Sequence, residues 1–375
     1  MEDGMTVKSD VGCRERFALT LAHQAVDRPP MDLGATDMTE MEGGPRRLAP
    51  WLDLPAGGDA AALDEEVLRR LGVDIRGVGG ILTPSGTQAR RLSDTEIIDA
   101  WGIRHQWQGH HFEMVGRPLA DATVDDLERF PWPDPDRIDR DEMARLAERA
   151  RFLYQETPYV VCGRHPYFGV LELGCWMCGY DEFLYRLAGD PEFTHRFFDI
   201  LLAYQQRVDA IYYGALGPYL HFTTSGDDFG TQVGPLLSPR MFGEQIAPYL
   251  AERIRHIGTY TEAAFFHHTC GGVRDLIPDL LKAGVRILNP IQPRAAGMEP
   301  EILKREFGDR LTFYGGIDTQ DLLPHGTPDE VRAETRRLVG VLGADGGYVL
   351  SAAHTIQADV PLENVVAMYR AAAAG

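Results

Sequence analysis

His268, Thr269 and Cys270 set an imidazole and a thiol two residues apart. In an extended strand that spacing turns both side chains to one face. Imidazole and soft thiolate together suit the ligand shell of zinc, and His354, after a later strand, is the third candidate ligand. Zinc on His268, Cys270 and His354 would hold a substrate thiol as its thiolate or polarise an oxygen. The competing reading makes Cys270 a small buried hydrophobe and the histidines hydrogen-bonded fillers. Asp227 and Asp228 precede Gly230. Either carboxylate suits a general base, a metal ligand or a partner for a cation, and equally a helix cap or a turn. Neighbours in extended chain point opposite ways, so at most one of the two enters a shared pocket. Which of His267 and His268 does so is left open, because a slip of one residue reverses the faces.

Other residues follow from position. Arg164 and Arg76 are candidate grips for a substrate carboxylate. Asp74 is a candidate for stabilising a cationic intermediate, and Gln292 and Asp318 are candidate pocket-lining groups. Cys175 and Cys178 form a Cys-x-x-Cys pair, but no second pair completes a zinc tetrad, so they read as core or pocket lining. His110, His111 and the region of Trp101 and Trp107 read as lid or interface material.

The elements that must position these groups alternate. Residues 14–25 have helical spacing with Phe17, Leu21 and Ala25 on one face, stopped by Pro29 and Pro30. A Gly- and Pro-rich stretch, 34–59, leads to a short helix at 64–71 closed by Gly72, and 117–137 is a polar connector. Strands are expected at 158–163, 219–224, 263–267, 285–288, 311–314 and 348–351. Helices are expected at 190–213, 239–257, 273–283, 299–307, 327–342 and 364–373. Asp190-Pro191 and Ser238-Pro239 are start signals, a capping side chain followed by proline in the first turn. Short strands separated by helices imply a parallel sheet. No Gly-x-Gly-x-x-Gly opens a helix after a strand, which removes the usual dinucleotide site. The expected fold is α/β, a distorted (β/α)8 TIM barrel with an N-terminal helical or irregular extension. Residues 1–12 are expected as a disordered lead and 13–375 as one barrel domain. In such a barrel the chemistry sits at the carboxyl ends of the strands, where His165, Asp228, Cys270, Gln292, Asp318 and His354 all fall.

A formal charge of −19 argues against nucleic acid as a partner, and a hydrophobic fraction of 44% suits a packed core. No apolar run is long enough to span a membrane, and 1–10 carries acids without the apolar core of a signal peptide. Five cysteines are few and odd in number, which fits a reducing, cytoplasmic setting.

Several runs carry a family likeness: Gly226-Asp-Asp-Phe-Gly-Thr-Gln232, Ser238-Pro-Arg-Met-Phe242, Phe266-His-His-Thr-Cys-Gly271 and Leu288-Asn-Pro-Ile-Gln292. To these add Phe313-Tyr-Gly-Gly-Ile-Asp-Thr-Gln320 and the stretch from Gly346 to Gln357. Leu71-Gly-Val-Asp-Ile-Arg76 and Trp132-Pro-Asp-Pro135 extend it toward the N-terminus. On these runs the chain resembles the uroporphyrinogen decarboxylase superfamily, which also holds corrinoid-linked and thiol methyltransferases. The resemblance implies a distorted barrel with a deep cleft at the strand ends, and often a homodimer.

Two branches compete. True decarboxylases of the family carry an arginine-rich segment near the N-terminus that grips substrate carboxylates, whereas Pro30-Met-Asp-Leu-Gly-Ala-Thr36 holds no arginine. That departure speaks against a polyanionic porphyrinogen. The methyltransferase branch uses zinc on a His-x-Cys pair and a later Cys. His268 and Cys270 match the pair; His354 stands where the later Cys is expected. The chain therefore looks most like the demethylase-type methyltransferases, which move a methyl group from a small methoxylated or methylated compound to a corrinoid protein or a thiol. The alternative is a metal-free decarboxylase or lyase for a small carboxylate, with His354 as proton donor. A ligand-binding barrel without catalysis is the third reading.

Overall fold

The computed structural model describes residues 11–55, 57–87, 89–109 and 112–373. Residues 1–10 of the expected lead, and His110 and His111, lie outside the described residues. Seven parallel strands form one curled sheet in sequence order: β1 (Ile75–Gly79), β2 (Val160–Arg164), β3 (Phe222–Thr223), β4 (Ala264–His268), β5 (Ile287–Ile291), β6 (Thr312–Ile317) and β7 (Tyr348–Ala352). The two edges are bridged by residues 30–32. Asp32 N–H donates to Leu350 O at 3.0 Å and Leu350 N–H to Pro30 O at 2.9 Å, while on the other side Asp74 N–H donates to Met31 O at 2.9 Å. A stave of three residues thus completes a TIM-barrel-like ring. Pro30 can sit there because its missing N–H faces a position the ladder does not need.

Alternation along the strands decides which side chains fill the ring. Ile75, Val160, Phe222, Phe266, Ile287, Tyr314 and Val349 point inward and pack together. Helix α1 (Cys13–Leu21) closes the amino end of the barrel and inserts Phe17, whose ring centroid is 5.2 Å from that of Phe222. The helix ends at Leu21, earlier than the spacing through Ala25 suggested. His23 adopts a positive φ of 53°, and the backbone of Gln24 runs against Gly346 so closely that a Cβ there would lie 2.3 Å from the Gln24 carbonyl. Packing against that loop turns the chain before the prolines are reached.

Most other elements fall where the spacing put them. The long helix runs Pro191–Leu216, and Asp190 caps it by accepting from Phe193 N–H at 3.2 Å. The expected helix at 239–257 is two helices, Pro239–Gln245 and Ala247–Ile257, because Pro248 cannot donate back across the junction at Ile246. Helices Arg140–Glu156, Val170–Cys178 and Tyr180–Gly189 were not foreseen individually, nor was strand β1. Between β1 and β2 the chain adds a four-stranded antiparallel sheet, Arg90–Ser93, Glu96–Ile98, Arg104–Trp107 and Phe112–Gly116. Its strands are largely exposed, so they carry little of the apolar alternation that marks a buried strand. No described helix is long and apolar enough to cross a membrane.

Candidate metal centre

Inward alternation continues beyond the packed layer. Phe266 fills the barrel, so His268 points to the same side one step higher, at the carboxyl end of β4. His267 must face away. It is fully buried, lies over Phe229 with ring centroids 5.2 Å apart, and its Nδ1 is 2.7 Å from Ser225 Oγ. Strand register thus settles what the sequence left open between the two histidines.

The ligand atoms of His268, Cys270 and His354 all lie within 4.8 Å of one another. His268 Nε2 and Cys270 Sγ are 3.4 Å apart. Two tetrahedral zinc ligands at ordinary Zn–N and Zn–S bond lengths stand about 3.5 Å apart, so this pair fits zinc without rearrangement. His268 Nδ1 is 2.6 Å from Asn289 Oδ1, and Asn289 Nδ2 donates to Tyr314 O at 3.3 Å. That second contact fixes the amide, so its oxygen accepts from Nδ1–H and the Nε2 lone pair faces the cluster. An outer partner of this kind is what orients a metal-binding histidine. His354 is less committed. Its Nδ1 accepts from Thr355 N–H at 2.8 Å, which leaves the proton of the neutral ring on Nε2. His354 offers a free lone pair to a cation only when that contact is given up. His268 and Cys270 are the fixed pair and His354 the adjustable third.

The two adjacent aspartates divide the work. Asp227 is buried, and its carboxylate accepts from Leu171 N–H at 3.0 Å and Glu172 N–H at 2.7 Å. It caps the helix Val170–Cys178, here α2, and burial raises its pKa to about 7. Asp228 turns to the cluster: its Oδ1 accepts from Cys270 N–H at 2.7 Å and lies 3.8 Å from His268 Nε2. Gln292 also reaches the cluster. Its Oε1 accepts from Gly271 N–H at 2.7 Å and its Nε2 is 3.8 Å from Cys270 Sγ.

The remaining candidates are placed elsewhere. Asp74 is wholly buried at the amino end of β1, paired with Arg16 and Arg28 at 2.7 Å each and accepting from Met31 N–H. Arg76 is held by Glu65 at 2.8 Å and lies over the Tyr159 ring at 3.8 Å. Both sit at the end of the barrel opposite the cluster, so the expectation that they meet substrate is corrected: a residue early in a barrel strand points to the bottom of the ring. Arg164 is at the correct end, but Asp37 at 2.8 Å, Glu40 at 3.0 Å and the carbonyls of Gly34 and Ala35 take up its guanidinium. It borders a cavity of 1220 Å³ that Thr355 and Gln357 also line. Asp318 caps a short turn, accepting from Asp321 and Leu322 N–H. It lines a separate 670 Å³ groove to which none of the cluster residues contributes. Cys175 and Cys178 are buried core thiols, as their lone pair suggested.

Glu172 was missed, although it follows a strand-end loop at the start of a helix. Burial, then the charges of Asp227 and Asp228, lift its pKa to about 9. Burial first, then Asp228 and Glu172, push the Cys270 thiol up to about 12. Burial lowers both His268 and His354, keeping the rings neutral. His165 is a further neighbour: burial above all lowers it to about 3. Neutral imidazoles beside a thiol ringed by carboxylates form a site that gains from a cation, because a cation turns every one of those costs into attraction.

A family profile described as uroporphyrinogen decarboxylase (URO-D) matches residues 114–374. No curated protein is similar enough to match. Among solved structures, a methyltransferase from Methanosarcina mazei is 17% identical, with a TM-score of 0.60 over 96% of this chain and 98% of that one. Xylanase 10B from Thermotoga maritima is 12% identical, with a TM-score of 0.35 over 59% of this chain and 69% of that one.

Proposed function

The chain belongs to the uroporphyrinogen decarboxylase family, and within it we propose a zinc-assisted methyltransferase of the demethylase type. It would move a methyl group from a small methoxylated or methylated compound to a thiol, or to a corrinoid carried by a partner protein. The observation that carries this reading is the convergence of His268, Cys270 and His354 at the strand ends, with donor atoms within 4.8 Å. The full-length likeness to a methyltransferase of the same fold supports it.

His268, Cys270 and His354 would hold the ion and leave room for substrate or acceptor. Zinc held there would supply Lewis acidity, keeping a thiol deprotonated at neutral pH or polarising a heteroatom. The chain's own groups do the positioning. Asn289 holds the His268 ring so that Nε2 faces the site. Asp228 fixes the Cys270 backbone and holds a negative charge next to both donors. Gln292 fixes Gly271 and brings an amide N–H toward the sulfur. The reading as a decarboxylase is less well served, because Arg164 and Arg76, its candidate carboxylate grips, are each already paired with carboxylates.

The test is zinc content of protein purified without chelator, alongside Cys270→Ala and His354→Ala. About one zinc per chain is expected, abolished by Cys270→Ala and weakened at least tenfold in affinity by His354→Ala. Protein that neither retains nor takes up zinc sinks the proposal, and release of carbon dioxide from small carboxylates becomes the assay to run.

A further inference from the structure

Helix α2 presents a wall to the cluster whose chemistry narrows the methyl donor. Of its residues, all but Glu172 and Trp176 are buried. Four residues apart, these two share one helix face. Phe168, just before α2, and Tyr180, which opens the next helix beyond Gly179, flank Trp176. The Phe168 ring stands edge-on to Trp176 with centroids 5.1 Å apart, and Tyr180 is a further neighbour of Trp176. The wall is locked to the metal centre, since Asp227 caps α2 while the next residue, Asp228, binds the Cys270 amide. Glu172, at the start of the wall, is thereby the residue that borders the space beside Asp228 and Cys270.

That space is rich in carboxylate and aromatic surface and poor in positive charge. Among the described residues no cation pairs with Glu172. Arg164 is spent on Asp37 and Glu40. A divalent ion set against the Cys270 thiolate and Asp228 is already balanced, so the site offers an anion no net positive charge, while Glu172, protonated in the empty site, can ionise to meet a cation. A carboxylate or phosphate donor finds no cationic side chain there among the described residues. A methylated cation is attracted, because an onium centre without N–H bonds is recognised by charge and by ring faces rather than by hydrogen bonds.

We infer that the methyl donor is a quaternary ammonium or sulfonium compound, held between Glu172 and the Trp176–Tyr180 aromatic surface. This rests on the methyltransferase reading above. With a thiol as acceptor the step balances without an oxidant. The thiol gives its proton to solvent, and its sulfur forms a bond to the methyl carbon. The carbon–nitrogen or carbon–sulfur bond of the onium breaks, and its electron pair stays on the departing neutral amine or thioether.

The experiment titrates the purified protein, as isolated, with choline, tetramethylammonium and trimethylsulfonium by calorimetry. The neutral carbon analogue 3,3-dimethylbutan-1-ol and the anion 3,3-dimethylbutyrate serve as comparisons, and zinc is assayed on the same samples. At least one onium is expected to bind saturably, about tenfold or more tighter than the neutral analogue, with the anion weakest. Glu172→Gln and Trp176→Leu should each weaken onium binding about tenfold, Trp176→Leu with zinc content unchanged. The neutral analogue or the anion binding as well as every onium overturns the inference, as does zinc-replete protein that binds none of them. Onium binding that persists in protein without zinc counts for the wall and against the metal reading, so the two failures separate.

Discussion

The two ends of the barrel use the same residue types to opposite effect. At the amino end the buried charges are matched among the described residues: Asp74 meets Arg16, Arg28 and a backbone N–H, Arg16 also meets Asp27, and Arg76 meets Glu65. At the carboxyl end Asp228 and Glu172 crowd a thiol and two neutral imidazoles, and burial shifts each of Glu172, Cys270, His268 and His354 against its charged form. A matched network closes the ring and has little to offer a ligand. An unmatched one costs stability, a cost that a bound cation would relieve.

The sharpest break in this comparison comes from removing one matched charge. Asp74→Asn leaves the buried Arg16 and the half-buried Arg28 each short of a charged partner and should cost about 3–5 kcal/mol in denaturant unfolding. Asp228→Asn at the other end should change stability by less than about 1 kcal/mol while weakening zinc binding. Equal losses from both would mean that the two ends do not differ in kind. Next in size, Asn289→Ala frees the His268 ring and should lower zinc affinity roughly 10- to 100-fold, read by competition with a chromophoric chelator. Unchanged affinity would show that the ring is held by packing alone.

Glu172 sharpens the comparison through pH. Its carboxyl is raised from the ordinary value to about 9 in the folded chain. Between those two values the folded state holds a proton that the unfolded state has lost, so its contribution to stability is full at low pH and disappears as pH rises through the folded value. In metal-free protein, Glu172→Gln should therefore flatten the fall in stability between pH 5 and pH 9 by on the order of 1–2 kcal/mol, the carboxylates of one site sharing the effect. Parallel pH curves for variant and parent would refute it. The smallest effect is expected at Asp227, whose role is capping: Asp227→Ala should cost about 1 kcal/mol in stability, with zinc content retained. Loss of zinc from that variant would move Asp227 into the centre itself.

Much of this was legible in the chain. Strand and helix alternation past residue 140 follows from apolar spacing, capping prolines and closing glycines, all of which act within a few residues. The rule that barrels do chemistry at strand ends then gathered His268, Cys270, Gln292 and His354 from distant positions. The exposed sheet at 90–116 was not legible, because strands with little to bury carry no period. Glu172 and Asn289 were also missed as parts of the centre: one works through burial beside other acids, the other through a hydrogen bond across strands.

By itself, then, the sequence determined the kind of fold and the residue types at the top of the barrel, since both rest on local periodicity and on strand order. Only the tertiary structure decided which neighbour in each pair does the work. Phe266 filling the barrel turned His268 inward and His267 away, and the start of α2 claimed Asp227 and left Asp228 to the cluster. It also sent Asp74 and Arg76 to the far end, because a strand a few residues long places its first and last side chains at opposite mouths of the ring.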